Sequence, residues 1–311
     1  MASEPPRICV VGSTNIDLTF RTPRLPRPGE TLAGYDFRLD FGGKGANQAV
    51  MAARFGARVA MVACVGRDVF GEQTLANYRR EGIDTAHISV DETRPTGVAS
   101  VAVDDEARNC ILVVPGANLG LSPAHVGQAA AAICGAAVLL CQLEVPQETV
   151  LEAFRVARAA GVRTVLNPAP AAELPDELLR LADVCVPNES ELEALTGQPV
   201  ATLEQAKAAA RSLARRGPGA LVVTLGERGA LILERDMGEH VPAVPVQAVD
   251  PTGAGDAFIG ALGVSLAAGL PLRAAVRRAN AVAAQSVTRL GAQASFPTRA
   301  QVEQFLTSTA P

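Results

Sequence analysis

The sequence predicts an α/β fold: a three-layer α/β/α domain with a mainly parallel central sheet, plus a small β-sheet lid. Three observations predict it. Short, nearly continuous apolar runs recur, most are followed by a stretch with helical spacing, and two regions break that rhythm. Apolar runs without alternation belong to strands buried on both faces, as in a parallel sheet covered by helices. Strand–helix alternation then implies right-handed crossovers within one layered body. Residues 1–311 are read as one such domain.

The elements follow in order. "ICVVG" (8–12) is the first strand. Residues 13–43 lack helical period and carry a Pro/Gly turn, so 13–41 reads as half of the small sheet. "GGKGANQA" opens a helix of small residues, and "VAMVACVG" (59–66) is a strand. "PTGVASVAVDDEARNCILVVPG" reads as strand, acidic turn, strand, and 95–114 completes the small sheet. Such segments are either surface hairpins or a lid that keeps water from a site. Ser122-Pro123 starts a helix, with Pro in its first turn. "AVLLCQLE" (137–144), "RTVLNP" (163–168), "DVCVPNE" (183–189) and "ALVVTLG" (220–226) are further strands. "TLEQ" (202–205) and "TRAQ" (298–301) fit capping boxes. The apolar run "VPVQAV" ends at a turn, after which Phe258, Leu262 and Leu266 mark the buried stripe of a helix.

Composition narrows the function. With 48% hydrophobic residues and no Trp, the core is built from Val, Leu, Ile and Ala. A net charge of −4 provides no general field for nucleic acid or an anionic membrane, so an anionic ligand has to be held locally. The six cysteines form no C-x-x-C pair, and Cys9, Cys64, Cys110, Cys141 and Cys185 lie in or beside apolar runs. Buried thiols in a reducing compartment are expected, and not disulfides or zinc ligands. "MASEPPR" has no apolar signal core and no run reaches transmembrane length, which points to the cytosol.

In open α/β sheets ligands bind beyond the carboxyl ends of the strands. That rule selects Asn15 and Asp17, Glu144, Asn188 and Glu191, the stretch Thr224 to Gly229, and Asp256. In "FGGKGANQA", Gly42 and Gly43 permit a close approach, while Lys44 and Asn47 sit near a helix N-terminus that favours anions or hydroxyl oxygens. In "DPTGAGDAF" the amides of Gly253, Ala254 and Gly255 would be donors at a positive helix end, suited to a phosphoryl group or a developing oxyanion. Asp256 beside them could take a proton from an attacking hydroxyl. An acid at a helix start can also act only as a cap, but a cap alone does not call for Gly-Ala-Gly.

Absences decide as well. There is no G-x-x-x-x-G-K-[ST], and "VVGSTNID" is not the G-x-G-x-x-G of a dinucleotide dehydrogenase. His87, His125 and His240 are the only histidines and none stands beside a candidate site in the sequence, which leaves carboxylate chemistry.

Together, "GSTNIDL", "PRPGET", "GGKGANQA", "VGRDVFG", "QLE", "NPAPA", "NESE", "TLGERG", "DPTGAGDAF" and "TRLGAQAS" resemble the ribokinase family of carbohydrate kinases, in the family's order and over essentially the whole chain. The resemblance implies ATP-dependent phosphorylation of D-ribose at O5. Asn15, Asp17, Gly43, Lys44, Asn47 and Glu144 would bind the sugar, and Asp256 would be the base. Gly253, Ala254 and Gly255 would form the anion hole. Asn188, Thr224, Gly226, Gly229 and Asn280 would line the nucleotide site, with Glu191 linked to Mg²⁺. A monovalent cation, K⁺, would sit by Asp250, Thr252, Ser286, Arg289, Gly291 and Ser295, held mainly by carbonyl oxygens. Two subunits would pair through their small sheets as a homodimer. The alternatives are a kinase of the same family for 2-deoxyribose, a nucleoside or another sugar, and a sugar-binding protein without turnover. The second would be expected to lack the acid or the anion hole, and Asp256, Gly255 and Lys44 are all present.

Overall fold

The computed structural model describes residues 4–106, 108–235 and 237–308. In chain order the strands are β1 (Arg7–Val11), β2 (Asn15–Thr22), β3 (Asp36–Gly42), β4 (Arg58–Gly66), β5 (Asp84–Asp91), β6 (Gly97–Asp104), β7 (Asn109–Val114), β8 (Val138–Cys141), β9 (Arg163–Leu166), β10 (Val184–Cys185), β11 (Ala220–Thr224), β12 (Ala230–Glu234) and β13 (Met237–Val241). The helices are α1 (Lys44–Arg54), α2 (Val69–Arg80), α3 (Pro123–Gln128), α4 (Ala130–Cys134), α5 (Gln147–Ala159), α6 (Asp176–Leu181), α7 (Glu189–Thr196), α8 (Leu203–Ala214), α9 (Ala254–Ala267), α10 (Leu272–Ser286) and α11 (Arg299–Ser308).

Nine strands form the central sheet in the order β13-β12-β11-β10-β9-β8-β1-β4-β5. Every pair from β11 to β5 is parallel. The β12–β13 hairpin, which the apolar runs did not disclose, adds an antiparallel edge beside β11. Alternate residues of each strand serve opposite faces. Ile8 and Val10 belong to a core shared with α1, α9, α10 and α11, whereas Cys9 and Val11 face the core shared with α3 to α8. That is the three-layer arrangement the buried runs imply.

Local signals hold at the helix starts. Ser122 and His125, Thr202 and Gln205, and Thr298 and Gln301 each form a reciprocal cap. Helix α9 differs from a one-sided stripe: every residue from Asp256 to Leu266 is buried, because α1 and α10 also pack against it. The run "VPVQAV" (244–249) is neither strand nor helix. Pro242 and Pro245 remove two backbone donors there, and the segment runs beyond the end of edge strand β13. One expectation needs correction: Cys110 is exposed, because it lies on β7, all of whose side chains are solvent-facing; Cys9, Cys64, Cys141 and Cys185 are buried free thiols.

The two irregular regions fold into a separate four-stranded sheet, β3-β2-β6-β7. Its inner pair, β2 and β6, is parallel in the register Asn15 to Gly97, and the two flanking pairs are antiparallel. No helix among the described residues is long and apolar enough to cross a membrane.

Candidate active site

The start of α9 is shaped by Gly253, which holds φ at 77°, and a Cβ there would come within 2.9 Å of Ala292 Cβ. Glycine meets both demands. The first N–H groups of a helix have no carbonyl one turn behind them. Ala254 N–H nevertheless donates to Pro251 O at 3.2 Å, so it is not the free donor the sequence suggested. Over Gly255 the space is open, with no atom within 4 Å of where a Cβ would stand, and a ligand can reach the helix end there.

Asp256 is 8% exposed, and each carboxylate oxygen accepts from an amide of α1. Asn47 Nδ2 donates to Oδ2 at 2.9 Å and Gln48 Nε2 to Oδ1 at 3.0 Å. Hydrogen bonds to a charged group contribute about 1.5–3 kcal/mol each, and so offset part of the cost of burying it. Burial still pushes the Asp256 carboxyl above its ordinary value, against the pull of Lys44, Asn47 and Gln48. Burial works to lower the Lys44 ammonium, but Asp256, Glu144 and Glu191 together outweigh it and raise it. Lys44 is therefore a cation set among carboxylates, and not a solvated side chain.

The N-terminus of α1 is built from distant residues. Gly43, with φ of 87°, caps it without a side chain. In place of a side-chain cap, Glu144 Oε2 accepts from Lys44 N at 2.9 Å, and Ser13 Oγ accepts from Gly45 N at 3.3 Å while donating to Glu144. Asn15, at the start of β2, accepts from Asn118 Nδ2 at 2.8 Å. Asp17 lies opposite Asp40 in the β2–β3 register. Its carboxyl is pushed up to about 6 by burial first, then by Glu144, Asp40 and Asp256. Asn15, Asp17, Gly43, Lys44, Asn47, Glu144 and Asp256 thus form one connected group beyond the ends of β1 and β8.

The residues expected around a nucleotide also converge. Asn188 caps α7, giving its N–H and side-chain amide to Glu191, whose buried carboxyl is raised by desolvation. Asn188 bridges to Thr224, and Thr224 N–H donates to Pro187 O at 3.0 Å. The turn from Leu225 to Gly229 closes on itself, and a Cβ on Gly229 would come 2.2 Å from Val241 O. Asn280 Nδ2 donates to Val241 O and Pro242 O, tying α10 to the same strand end. His240, expected to stand apart, hydrogen-bonds Arg228 O at 2.6 Å and so adjoins this turn. The β12–β13 hairpin carries it there.

Of the cation candidates, Asp250 accepts from Thr252 N at 2.9 Å and from Gly291 N at 2.8 Å, joining two loops. Val249 and Asp250 both donate to Val287 O, beside Ser286. The Ser286 and Ser295 hydroxyls already donate to Ala283 O and Ala292 O, and Arg289 is exposed. Among the described residues no group of three or more His, Cys, Asp and Glu could hold a metal ion.

Sequence reasoning missed the buried amides behind the site: Gln48, Asn118, Gln142, Asn167 and Gln293. Their signal was present as polar residues inside "GANQA", "PGAN", "QLE", "LNP" and "GAQAS". A cavity of about 980 Å³ between Val241–Pro245 and the first turns of α10 contains no candidate residue. One of about 890 Å³ lies at the N-terminal ends of β8 to β11, the opposite end of the sheet.

The model of the pfkB family carbohydrate kinases matches residues 5–299. A ribokinase from Mus musculus is 44% identical over 299 residues, covering 94% of this chain and 93% of its own length. A deoxyribokinase from Salmonella typhi is 42% identical over 300 residues, covering 96% and 98%. The structure of Arabidopsis thaliana ribokinase complexed with ribose and ATP superposes with a TM-score of 0.92 at 31% identity, covering 97% of this chain and 99% of that one. A family model spanning nearly the whole chain, full-length relatives and the shared fold establish that this chain belongs to the pfkB family of carbohydrate kinases.

Proposed function

We propose that the chain transfers the γ-phosphoryl group of ATP to O5 of D-ribose, giving D-ribose 5-phosphate and ADP. The observation that carries the reading is Asp256, a buried carboxylate held by two amides beside the open helix end at Gly255. Asp256 takes the O5 proton as O5 attacks the γ-phosphorus, and the bond to the β-phosphate oxygen breaks to release ADP. The Gly253 and Gly255 amides at the start of α9 and the Lys44 ammonium face the negative charge on the transferring group, while the Ala254 N–H stays engaged by Pro251 O. Phosphoryl transfer needs chiefly this positioning and charge stabilisation. Asn15, Asp17, Asn47 and Glu144 hold the sugar hydroxyls.

Mg²⁺ bound with ATP would neutralise phosphate charge. Glu191, a buried carboxylate fixed by Asn188, has an oxygen donor set suited to it, through water. The joined 250–252 and 286–295 loops offer carbonyl oxygens, a donor set suited to K⁺, and their serine hydroxyls are engaged elsewhere. The small sheet acts as a lid over the sugar: β2 and β3 end at Asn15 and Gly42, beside the site. Its exposed Phe37, Ile111, Leu112 and Val113 suit pairing with a second copy. The enzyme works in the cytosol.

The similarity to a deoxyribokinase keeps 2-deoxyribose as a second reading. The test is ADP release with ATP and Mg²⁺ against ribose, 2-deoxyribose, fructose, adenosine and no sugar, each in K⁺ and in Na⁺. Ribose-dependent release raised by K⁺ is expected. Equal rates on 2-deoxyribose would favour the second reading, and no release with any acceptor would leave a sugar-binding protein without turnover.

A further inference from the structure

We propose that Gln48 is a positioning residue for Asp256, and that Asn167 locks it in the one amide orientation that works. The inference rests on the reading of Asp256 as the base. Gln48 is fully buried in α1, and all its polar groups are committed. Nε2 donates to Asp256 Oδ1 at 3.0 Å and to Asn167 Oδ1 at 3.2 Å, and Oε1 accepts from Gln142 Nε2. Asn167 Nδ2 in turn donates to Val186 O at 3.1 Å, so its oxygen has to face Gln48. A flipped Gln48 would set its oxygen against the Asp256 carboxylate and against the Asn167 amide oxygen, which Val186 O holds in place. Both contacts oppose the flip.

On the other side the arrangement is mirrored. Asn47, which donates to Oδ2, accepts from Gln293 Nε2 at 3.1 Å, and Gln293 accepts from Asn77 Nδ2 at 3.1 Å. The carboxylate plane is thereby fixed by one oriented amide on each oxygen. Asn47 also belongs to the proposed sugar site, whereas Gln48 has no surface and its only task toward the reaction is Asp256. Gly12 makes the Gln142 position possible, since a Cβ there would come 2.0 Å from Gln142 Oε1.

The test is Gln48→Met, with Asp256→Asn measured in parallel. The expected result for Gln48→Met is a fall in kcat of about 10-fold, the factor that corresponds to about 1.4 kcal/mol. The KM values for ribose and ATP stay within about twofold, and the acid limb of the kcat–pH profile moves to higher pH. The direction follows because a carboxylate that loses a donor holds its proton more tightly. Lys44 of α1, Glu144 after β8, Asp17 of β2 and Glu191 of α7 also face Asp256 electrostatically, and the substitution leaves them in place. A wild-type pH profile with reduced kcat would show a merely structural role and overturn the inference, as would unchanged kcat. If Gln48→Met does not fold, Gln48→Glu keeps the side-chain volume while replacing the donor to Asp256 with a carboxyl, and the same pH shift or its absence decides. Near wild-type turnover in Asp256→Asn would instead remove the base reading itself.

Discussion

Asn118 Nδ2 donates to Asn15 Oδ1 at 2.8 Å, and this bond sets which end of the Asn15 amide is left for a ligand. Asn118 cannot turn round, because its own Oδ1 accepts from Thr14 N at 2.9 Å and its Nδ2 also donates to Thr14 O at 3.1 Å. Asn15 is therefore presented as a donor, which suits a sugar hydroxyl oxygen. Asn118→Asp keeps the shape but replaces the donor with an acceptor. The KM for ribose is expected to rise about 10-fold, the cost of one hydrogen bond near 1.4 kcal/mol, with kcat little changed. Steady-state kinetics on ribose check this, and an unchanged KM would show that Asn15 does not need its partner.

Asp17 is held at a cost that depends on pH. Its carboxyl rises from the ordinary 3.8 to about 6 in the folded protein, through burial first and then Glu144, Asp40 and Asp256. The folded state thus binds that proton more tightly than the unfolded chain. The associated stability is present below 3.8 and is lost as pH rises through about 6. Asp17→Asn removes the loss, and is expected to be more stable than the parent by up to about 3 kcal/mol at pH 8, with the gap closing toward pH 4. Urea unfolding from pH 4 to 8 measures it, and a gap that does not vary with pH would refute the displaced carboxyl. Ribose affinity should fall in the same variant, so stability and binding pull in opposite directions at this residue.

Helices α1 and α9 meet at Gly260, where a Cβ would lie 2.8 Å from both Gln48 O and Met51 Cβ. Gly260→Ala improves helix propensity by about 1 kcal/mol. The contact is with a backbone carbonyl that cannot rotate away, so overpacking of about 1–3 kcal/mol outweighs it. The variant is expected to melt at a lower temperature. Its kcat should also fall, because α1 carries Asn47 and Gln48 while α9 carries Asp256. Calorimetry and turnover together test the claim, and a stabilised, fully active variant would refute it.

What the sequence disclosed depended on the range of the signal. The strands at Ile8, Val59 and Val138 were legible because parallel strands buried on both faces leave continuous apolar runs. The start of α9 was legible because the positive φ of 77° at Gly253 is a demand of that turn itself, which glycine meets. The amides that hold Asp256 were not. Gln48 and Asp256 are 208 residues apart, and no period or spacing relates them. Cys110 was misjudged because its apolar run belongs to the small sheet, whose edge strand has no helix over it. His240 reached the 224–229 turn through a hairpin whose strand β13 is polar and gives no apolar run.

The loops proposed to hold K⁺ are joined by Asp250, and this makes its side chain more consequential than carbonyl ligation alone would suggest. Oδ1 accepts from Thr252 N and Oδ2 from Gly291 N. Burial works to raise the Asp250 carboxyl, but these hydrogen bonds and the Arg38 charge outweigh it and hold it below its ordinary value. The group is therefore ionised at neutral pH, and its contribution to stability is lost only as pH falls into the acid range. Asp250→Ala leaves the backbone carbonyls and the Val249 and Asp250 N–H bonds to Val287 O in place, but removes the carboxylate that ties the turn at Thr252 to Gly291. The concentration of K⁺ needed for half-activation is expected to rise at least 10-fold, with the ribose KM nearly constant, because the sugar group does not include these loops. The rise in melting temperature that K⁺ gives over Na⁺ in the absence of substrates should shrink in parallel. If Asp250→Ala kept both the K⁺ response and the K⁺-dependent melting shift, the loops would be shaped without the Asp250 side chain, and the cation site would rest on the backbone fold alone.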